Sequence, residues 1–218
     1  MLEEILPPSV VAEEAFADPP GVPLFPEEAA AVANAVAKRR DEFTTARYCA
    51  RAALRRLGVA PVPILPGERG APRWPAGIVG SMTHCLGYRA AALARRRDVV
   101  TIGIDAEPHE PLPNGVLDAV SVEAERALLA RLALDAPGVH WDRLLFSAKE
   151  SVYKAWYPLT GRWLDFTEAD VAIDPAVAGF TARLLVPGPV VAGVECREFA
   201  GRYLVRGGLV VTAIAVLA

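Results

Sequence analysis

The sequence predicts an α+β protein, and three observations lead to that class. A helical pattern runs over residues 26–57, ahead of short strand-like runs at 78–82 and 99–104. Two more helical stretches follow at 121–133 and 141–157. From Asp170 onward the pattern turns to strands, at 171–173, 180–186, 202–205 and 209–216.

Residues 1–25 are proline-rich and read as irregular, with Pro19, Pro20 and Pro23 as punctuation. Pro26 followed by Glu27 and Glu28 opens a helix, with acid in the first turn favouring its dipole. Gly58 closes the pattern as a C-terminal cap, and the weak helix formers Thr44 and Thr45 allow two helices in series as well as one. Residues 58–77 hold five prolines and four glycines, a long loop of the kind that often carries function. The run 89–94 is open between helix and strand. Ser121 is a candidate N-cap for the helix that follows it.

The chain has 218 residues, 53% hydrophobic and 22% charged, enough for one large domain or two small ones sharing a core. Its acidic start, Met1-Leu2-Glu3-Glu4, is unlike a signal peptide, and the longest apolar stretch, 209–218, is half of the ~20 residues that span a bilayer. A cytoplasmic protein without membrane partners is expected. The net charge of −3 argues against a nucleic-acid binder. Cys49, Cys85 and Cys196 have neither metal-ligand spacing nor an even-numbered disulfide framework, so they read as inert thiols.

Three segments could carry chemistry. In 99–108 the side chains of a strand alternate, so Ile102, Ile104 and Ala106 share one face while Gly103, Asp105 and Glu107 share the other. Two carboxylates beside a glycine suit a hard cation. A solvated strand end before Pro108 is the plainer alternative. In 145–156, Leu145, Ala148, Val152 and Ala155 form an apolar stripe, which leaves Glu150 and Lys154 one turn apart on an outer face. Such a pair is also routine on helix surfaces. The third segment, Gly80-Ser81-Met82-Thr83-His84-Cys85, follows a glycine-flanked loop holding Arg69, a setting for phosphate or simply for a satisfied polar histidine. Upstream, Arg47, Arg51 and Arg55 recur every four residues and line one helix face, which a bound anion or plain solvent could answer.

Taken in order, Thr83-His84, the Gly-x-Asp-x-Glu run 103–107 and the Phe-Ser-x-Lys-Glu-x-x-x-Lys run 146–154 resemble the phosphopantetheinyl transferase superfamily. The segments 42–54 and 80–92 look most like the enterobactin-synthetase type within the surfactin-type group, and the resemblance spans residues 38–166. It implies a pseudo-dimer of two similar α/β halves: residues 1–102 on the coenzyme A nucleotide side, and 103–218 carrying the metal site and catalytic helix. It also implies a monomer, since one chain supplies both halves.

The implied reaction moves the 4′-phosphopantetheine group of coenzyme A to a serine of an acyl or peptidyl carrier protein and releases 3′,5′-ADP. By the same resemblance Asp105, Glu107 and Glu150 bind Mg²⁺, with Asp105, Glu150 and Lys154 catalytic and Glu150 the candidate base. Lys154 and Lys149 are expected at phosphate. Thr83, His84, Arg69 and one or more of Arg47, Arg51 and Arg55 are expected to hold the nucleotide. Arg69 stands where the family often has lysine, which keeps the charge and changes the geometry. Carrier docking would rest on apolar contact and a local basic patch. The competing readings are a magnesium-dependent phosphodiesterase acting on coenzyme A or a nucleotide, and a degenerate coenzyme A-binding subunit. The latter predicts a lost acid or lysine, and none is missing.

Overall fold

The computed structural model describes all 218 residues, Met1–Ala218. In the first half, β1 (Val11–Ala15) is followed by α1 (Pro26–Ala31), α2 (Ala37–Arg56) and the hairpin β2 (Ile78–Cys85) and β3 (Tyr88–Arg95). These strands form an antiparallel sheet in the order β1-β3-β2. The second half opens with β4 (Val99–Pro108), then α3 (Val116–Val120), α4 (Glu123–Asp135) and α5 (Trp141–Thr160). After them come β5 (Ala169–Asp174), β6 (Gly179–Leu184), a small ribbon of β7 (Val190–Val191) and β8 (Val194–Glu195), then β9 (Glu198–Arg206) and β10 (Leu209–Leu217). Its main sheet is β4-β10-β9-β6-β5.

The halves share a plan. Each runs strand, 20-residue helix, terminal hairpin, and in each the first strand pairs antiparallel with the last, β1 with β3 and β4 with β10. The α5 stripe expected from the sequence is buried, with Leu145, Ala148, Val152 and Ala155 packed against the larger sheet. α2 packs on the smaller sheet through Cys49, Ala50, Ala53 and Leu54.

The two halves meet at β4. Its Ile102, Ile104 and Ala106 share a core with Ala90 and Ala92 of β3 and with Val211 and Ala213 of β10. The division expected near residue 102 therefore falls within one strand that serves both sides. β2 lies along the other edge of β4, joined to it by side chains: the hydroxyls of Ser81 and Thr83 accept from the N–H groups of Ile104 and Ala106, both at 3.1 Å. Short hydroxyl residues satisfy buried donors that would otherwise be orphaned.

Several local expectations change. Residues 1–25 contain β1, an edge strand whose Glu13 and Glu14 mask its β character; Arg56, the N-terminal amine and Tyr88 answer those acids. Two helices do form in 26–56, but the break lies at 32–36 rather than at Thr44-Thr45. Gly58 follows α2 with φ +69°, as a closing glycine should. The open run 89–94 is the buried strand β3. Ser121 does not cap α4; it ends α3, donating to the Leu117 carbonyl, while Glu125 accepts from Val122 N–H at the α4 start.

Candidate active site

The site forms where β4 meets α5. Gly103 makes the close approach possible: a Cβ there would lie 2.0 Å from the Ser151 carbonyl oxygen. The approach is sealed by hydroxyls, with Ser147 and Ser151 at 3.0 and 2.6 Å from the Thr212 hydroxyl of β10, all fully buried. One strand pleat further on, Asp105 meets Ser147 (2.9 Å to Oδ2), Lys154 (2.7 Å to Oδ1) and Thr83 of β2 (3.3 Å to Oδ1). Two residues on again, Glu107 Oε2 accepts from Arg143 at 3.0 Å. The alternation read from the sequence is realised, with Gly103, Asp105 and Glu107 all facing α5.

Glu150 and Lys154 do not lie on an outer face. Both line a cleft of about 380 Å³ between the halves, opposite Arg69, Trp74, Ser81 and Met82. A second, apolar cavity of about 150 Å³ lies on the other flank of Glu150, walled by Tyr153, Trp163, Leu164 and Phe166. The Tyr153 hydroxyl is buried with no partner.

The acids are under electrostatic load. Burial, and then the charge of Asp105, push Glu107 up to about 7 in spite of Arg143. Burial also raises Glu150, with Lys154 opposing and Asp105 adding to the rise. An excess of negative charge has been drawn out of water here. No three acidic, histidine or cysteine side chains converge closely enough to cage a metal ion unaided.

The opposing half supplies cations. His84, exposed at the end of β2, lies 3.2 Å from Arg39 and 3.5 Å from Glu42. Burial of its ring lowers its pKa, Glu42 opposes this, and the charge of Arg39 lowers it further. Arg39 lies outside the four-residue arginine repeat. Arg69 sits in the left-handed region at φ 52°, at the cleft wall with its guanidinium 5.5 Å from the Trp163 ring centroid.

Several expected ligands already have protein partners, among them Thr83, whose buried hydroxyl donates to Asp105 and accepts from Ala106 N–H. The Lys149 ammonium donates to Phe166 O (2.6 Å) and Ala169 O (2.9 Å) and pairs with Glu125 (2.9 Å), which uses all three N–H groups. Arg51 is taken by Glu28 (2.8 Å) and Pro23 O (2.9 Å). Arg47 is buried, stacked on Phe43 and bonded to Ile64 O at 3.1 Å, and burial lowers its pKa to about 10. Arg55 is exposed, about 24 Å along the helix from Arg39, since each residue advances ~1.5 Å. The repeat identified a face of α2, whose first turn meets the end of β2 through Arg39 and His84.

The fold and this site have counterparts in known proteins. Residues 27–94 match the family model of the 4′-phosphopantetheinyl transferase N-terminal domain, and residues 101–191 that of the 4′-phosphopantetheinyl transferase superfamily. The 4′-phosphopantetheinyl transferase Svp of Streptomyces mobaraensis is 63% identical over 221 residues, covering 100% of this chain and 90% of the relative. The 4′-phosphopantetheinyl transferase PptT of Mycobacterium tuberculosis is 50% identical over 222 residues, covering 98% and 97%. Enterobactin synthase component D of Salmonella typhi is 36% identical over 121 residues, 55% of this chain and 49% of the relative. With both family models matched in order and full-length relatives at this identity, the chain belongs to the 4′-phosphopantetheinyl transferase superfamily and is an enzyme of that class.

Proposed function

We propose that the enzyme transfers 4′-phosphopantetheine from coenzyme A to a serine of an apo acyl or peptidyl carrier protein, releasing 3′,5′-ADP, with Mg²⁺ and as a monomer. The observation that carries this reading is the cleft between the halves, where Glu150 and Lys154, the latter bonded to Asp105, face Arg69.

The donor set fits magnesium. It is all oxygen, two of its acids are raised by burial and by the charge of Asp105, and magnesium uses few carboxylates plus water and substrate oxygens, so a complete protein cage is not required. Asp105, Glu107 and Glu150 would hold the ion, which when bound neutralises charge on the pyrophosphate.

The remaining chemistry belongs to the chain itself. Glu150, unpaired and with a raised pKa, takes the proton from the carrier serine. The serine oxygen forms its bond to the β-phosphorus as the bond to the α-phosphate oxygen breaks. Lys154, held in the cleft by Asp105, stabilises the departing phosphate. Arg39, His84 and Arg69 hold the 3′-phosphate, and the apolar cavity beside Glu150 receives the arm of the substrate.

A panel of apo carrier proteins incubated with coenzyme A and Mg²⁺ and read by mass spectrometry tests the proposal. A phosphopantetheine mass shift on at least one carrier is expected, lost with EDTA and with Asp105→Ala. Release of 3′,5′-ADP at a catalytic rate without any carrier would instead identify a hydrolase.

A further inference from the structure

We infer that Arg143 is a positioning residue that aims the Glu107 carboxylate into the metal site, an inference that rests on the magnesium reading above. Arg143, Ser147, Glu150 and Lys154 recur at helical spacing, so they lie on the one face of α5 turned to β4. Three of the four touch the acids of that strand directly: Arg143 bonds Glu107, and Ser147 and Lys154 bond Asp105. Arg143 lies outside the two motif runs, 103–107 and 146–154, and no charge pattern in the sequence points to it.

Its geometry is that of a clamp. Nη1 donates to Glu107 Oε2 at 3.0 Å, Nε to Glu110 O at 3.1 Å, and Nη2 to Pro111 O at 3.0 Å. Every nitrogen of the planar guanidinium has a fixed partner, two of them main-chain carbonyls, so the fork cannot rotate without breaking all three bonds. The side chain is 14% exposed, and Glu107 is pinned from one direction with Oε1 left without a protein donor. A carboxylate at the end of a strand, just before Pro108, would otherwise sample several rotamers. Holding one oxygen leaves the other free to bind an ion.

A second role is open to the same residue, and it has the opposite sign. As a nearby positive charge, Arg143 repels a cation, so a purely electrostatic role predicts that removing it tightens metal binding. Positioning predicts weaker binding when the fork is lost, whether or not the charge is kept. The loop after β4 has its own ties to the start of α5: Leu112 N–H donates to Asp142 at 2.7 Å, and His140 N–H to His109 Nε2 at 3.0 Å. Replacing Arg143 therefore leaves the loop anchored.

The test is titration of the full-length protein with Mn²⁺, read by electron paramagnetic resonance of the free ion, with and without coenzyme A. Arg143→Lys keeps the charge and Arg143→Gln removes it. Both are expected to raise the Mn²⁺ dissociation constant by about 10- to 100-fold, the usual effect of losing a partner that orients a metal ligand. Melting temperatures should stay near wild type, and turnover should recover as the metal concentration rises. If the wild type binds Mn²⁺ and both variants bind it as tightly or more tightly, the positioning role is overturned and the metal site stands. If the wild type itself binds no Mn²⁺ in either condition, the metal reading fails and the inference falls with it.

Discussion

The two halves of the molecule contain the same buried strut, built from different residues. In the first half Glu28, third residue of α1, accepts from Phe25 N–H (3.1 Å) and Ile64 N–H (2.8 Å) and pairs with Arg51 of α2 (2.8 Å). In the second, Glu125, third residue of α4, accepts from Val122 N–H (2.7 Å) and Val171 N–H (2.7 Å) and pairs with Lys149 of α5 (2.9 Å). Each glutamate caps its short helix, bonds a backbone N–H beyond the long helix, and ties both to a cation on that helix. Beyond the strut the halves differ. Lys149 is followed by Glu150 at the cleft, whereas Arg51 is followed by Ala52. The acids of β4 face the site, whereas Glu13 and Glu14 of β1 serve Arg56 and the N-terminal amine. The shared residues hold the fold, and the residues that differ carry the charge needed for phosphate chemistry.

The strut gives the largest expected effects. Glu28→Ala and Glu125→Ala each strand a buried cation and two N–H donors, so each should destabilise the fold by about 3–5 kcal/mol in denaturant unfolding. Making the pair apolar in Glu125→Leu/Lys149→Met should recover only part of this. The charge conflict is removed, but the N–H groups of Val122 and Val171 stay unpaired, at about 1–3 kcal/mol each. Full recovery would mean that the ion pair alone sets the stability, and that the likeness of the halves is less than structural.

The contacts at the seam come next. Gly103→Ala forces a methyl to 2.0 Å from Ser151 O, while Gly80→Ala meets Ala92 O at 2.8 Å in the first half. Both overpack a main-chain contact, at about 1–3 kcal/mol. Gly103→Ala should also cut turnover, because the shift moves α5 and with it Glu150 and Lys154. Equal activity losses from the two substitutions, matched for stability, would argue that β4–α5 spacing has no special role.

Much of this site was legible in the sequence because period alone determines which side chains share a face. The period of two put Gly103, Asp105 and Glu107 together, and the helical period found the buried stripe of α5. The strut was not legible, since Glu28 and Arg51 belong to separate helices and only the fold brings them together. β1 was hidden by its two glutamates, whose partners come from Met1, Arg56 and Tyr88. The phosphate role expected of Lys149 came from the family motif, and the motif carries no information about the three acceptors that surround the ammonium. For the arginines of α2 the period puts three on one face, and it says nothing about their position along the axis: Arg51 is taken by Glu28 and Arg55 is solvent-exposed.

The smallest expected effect separates the two ends of α2. Arg39 sits in the first turn, in contact with the strand-end His84, while Arg55 is solvent-exposed at the far end. A guanidinium can answer the 3′-phosphate of coenzyme A only if it reaches the cleft, and about 24 Å of helix separates Arg55 from Arg39. Arg39→Ala should therefore weaken coenzyme A binding by about tenfold or more, the worth of a charge-assisted hydrogen bond. It should leave dephospho-coenzyme A, which lacks only that phosphate, nearly unaffected. Arg55→Ala should change neither. Calorimetric titration of both ligands against both variants gives the ratio directly. An Arg55→Ala variant that lost the preference for coenzyme A would show that the phosphate reaches along α2, and would place the nucleotide on the far side of the first half.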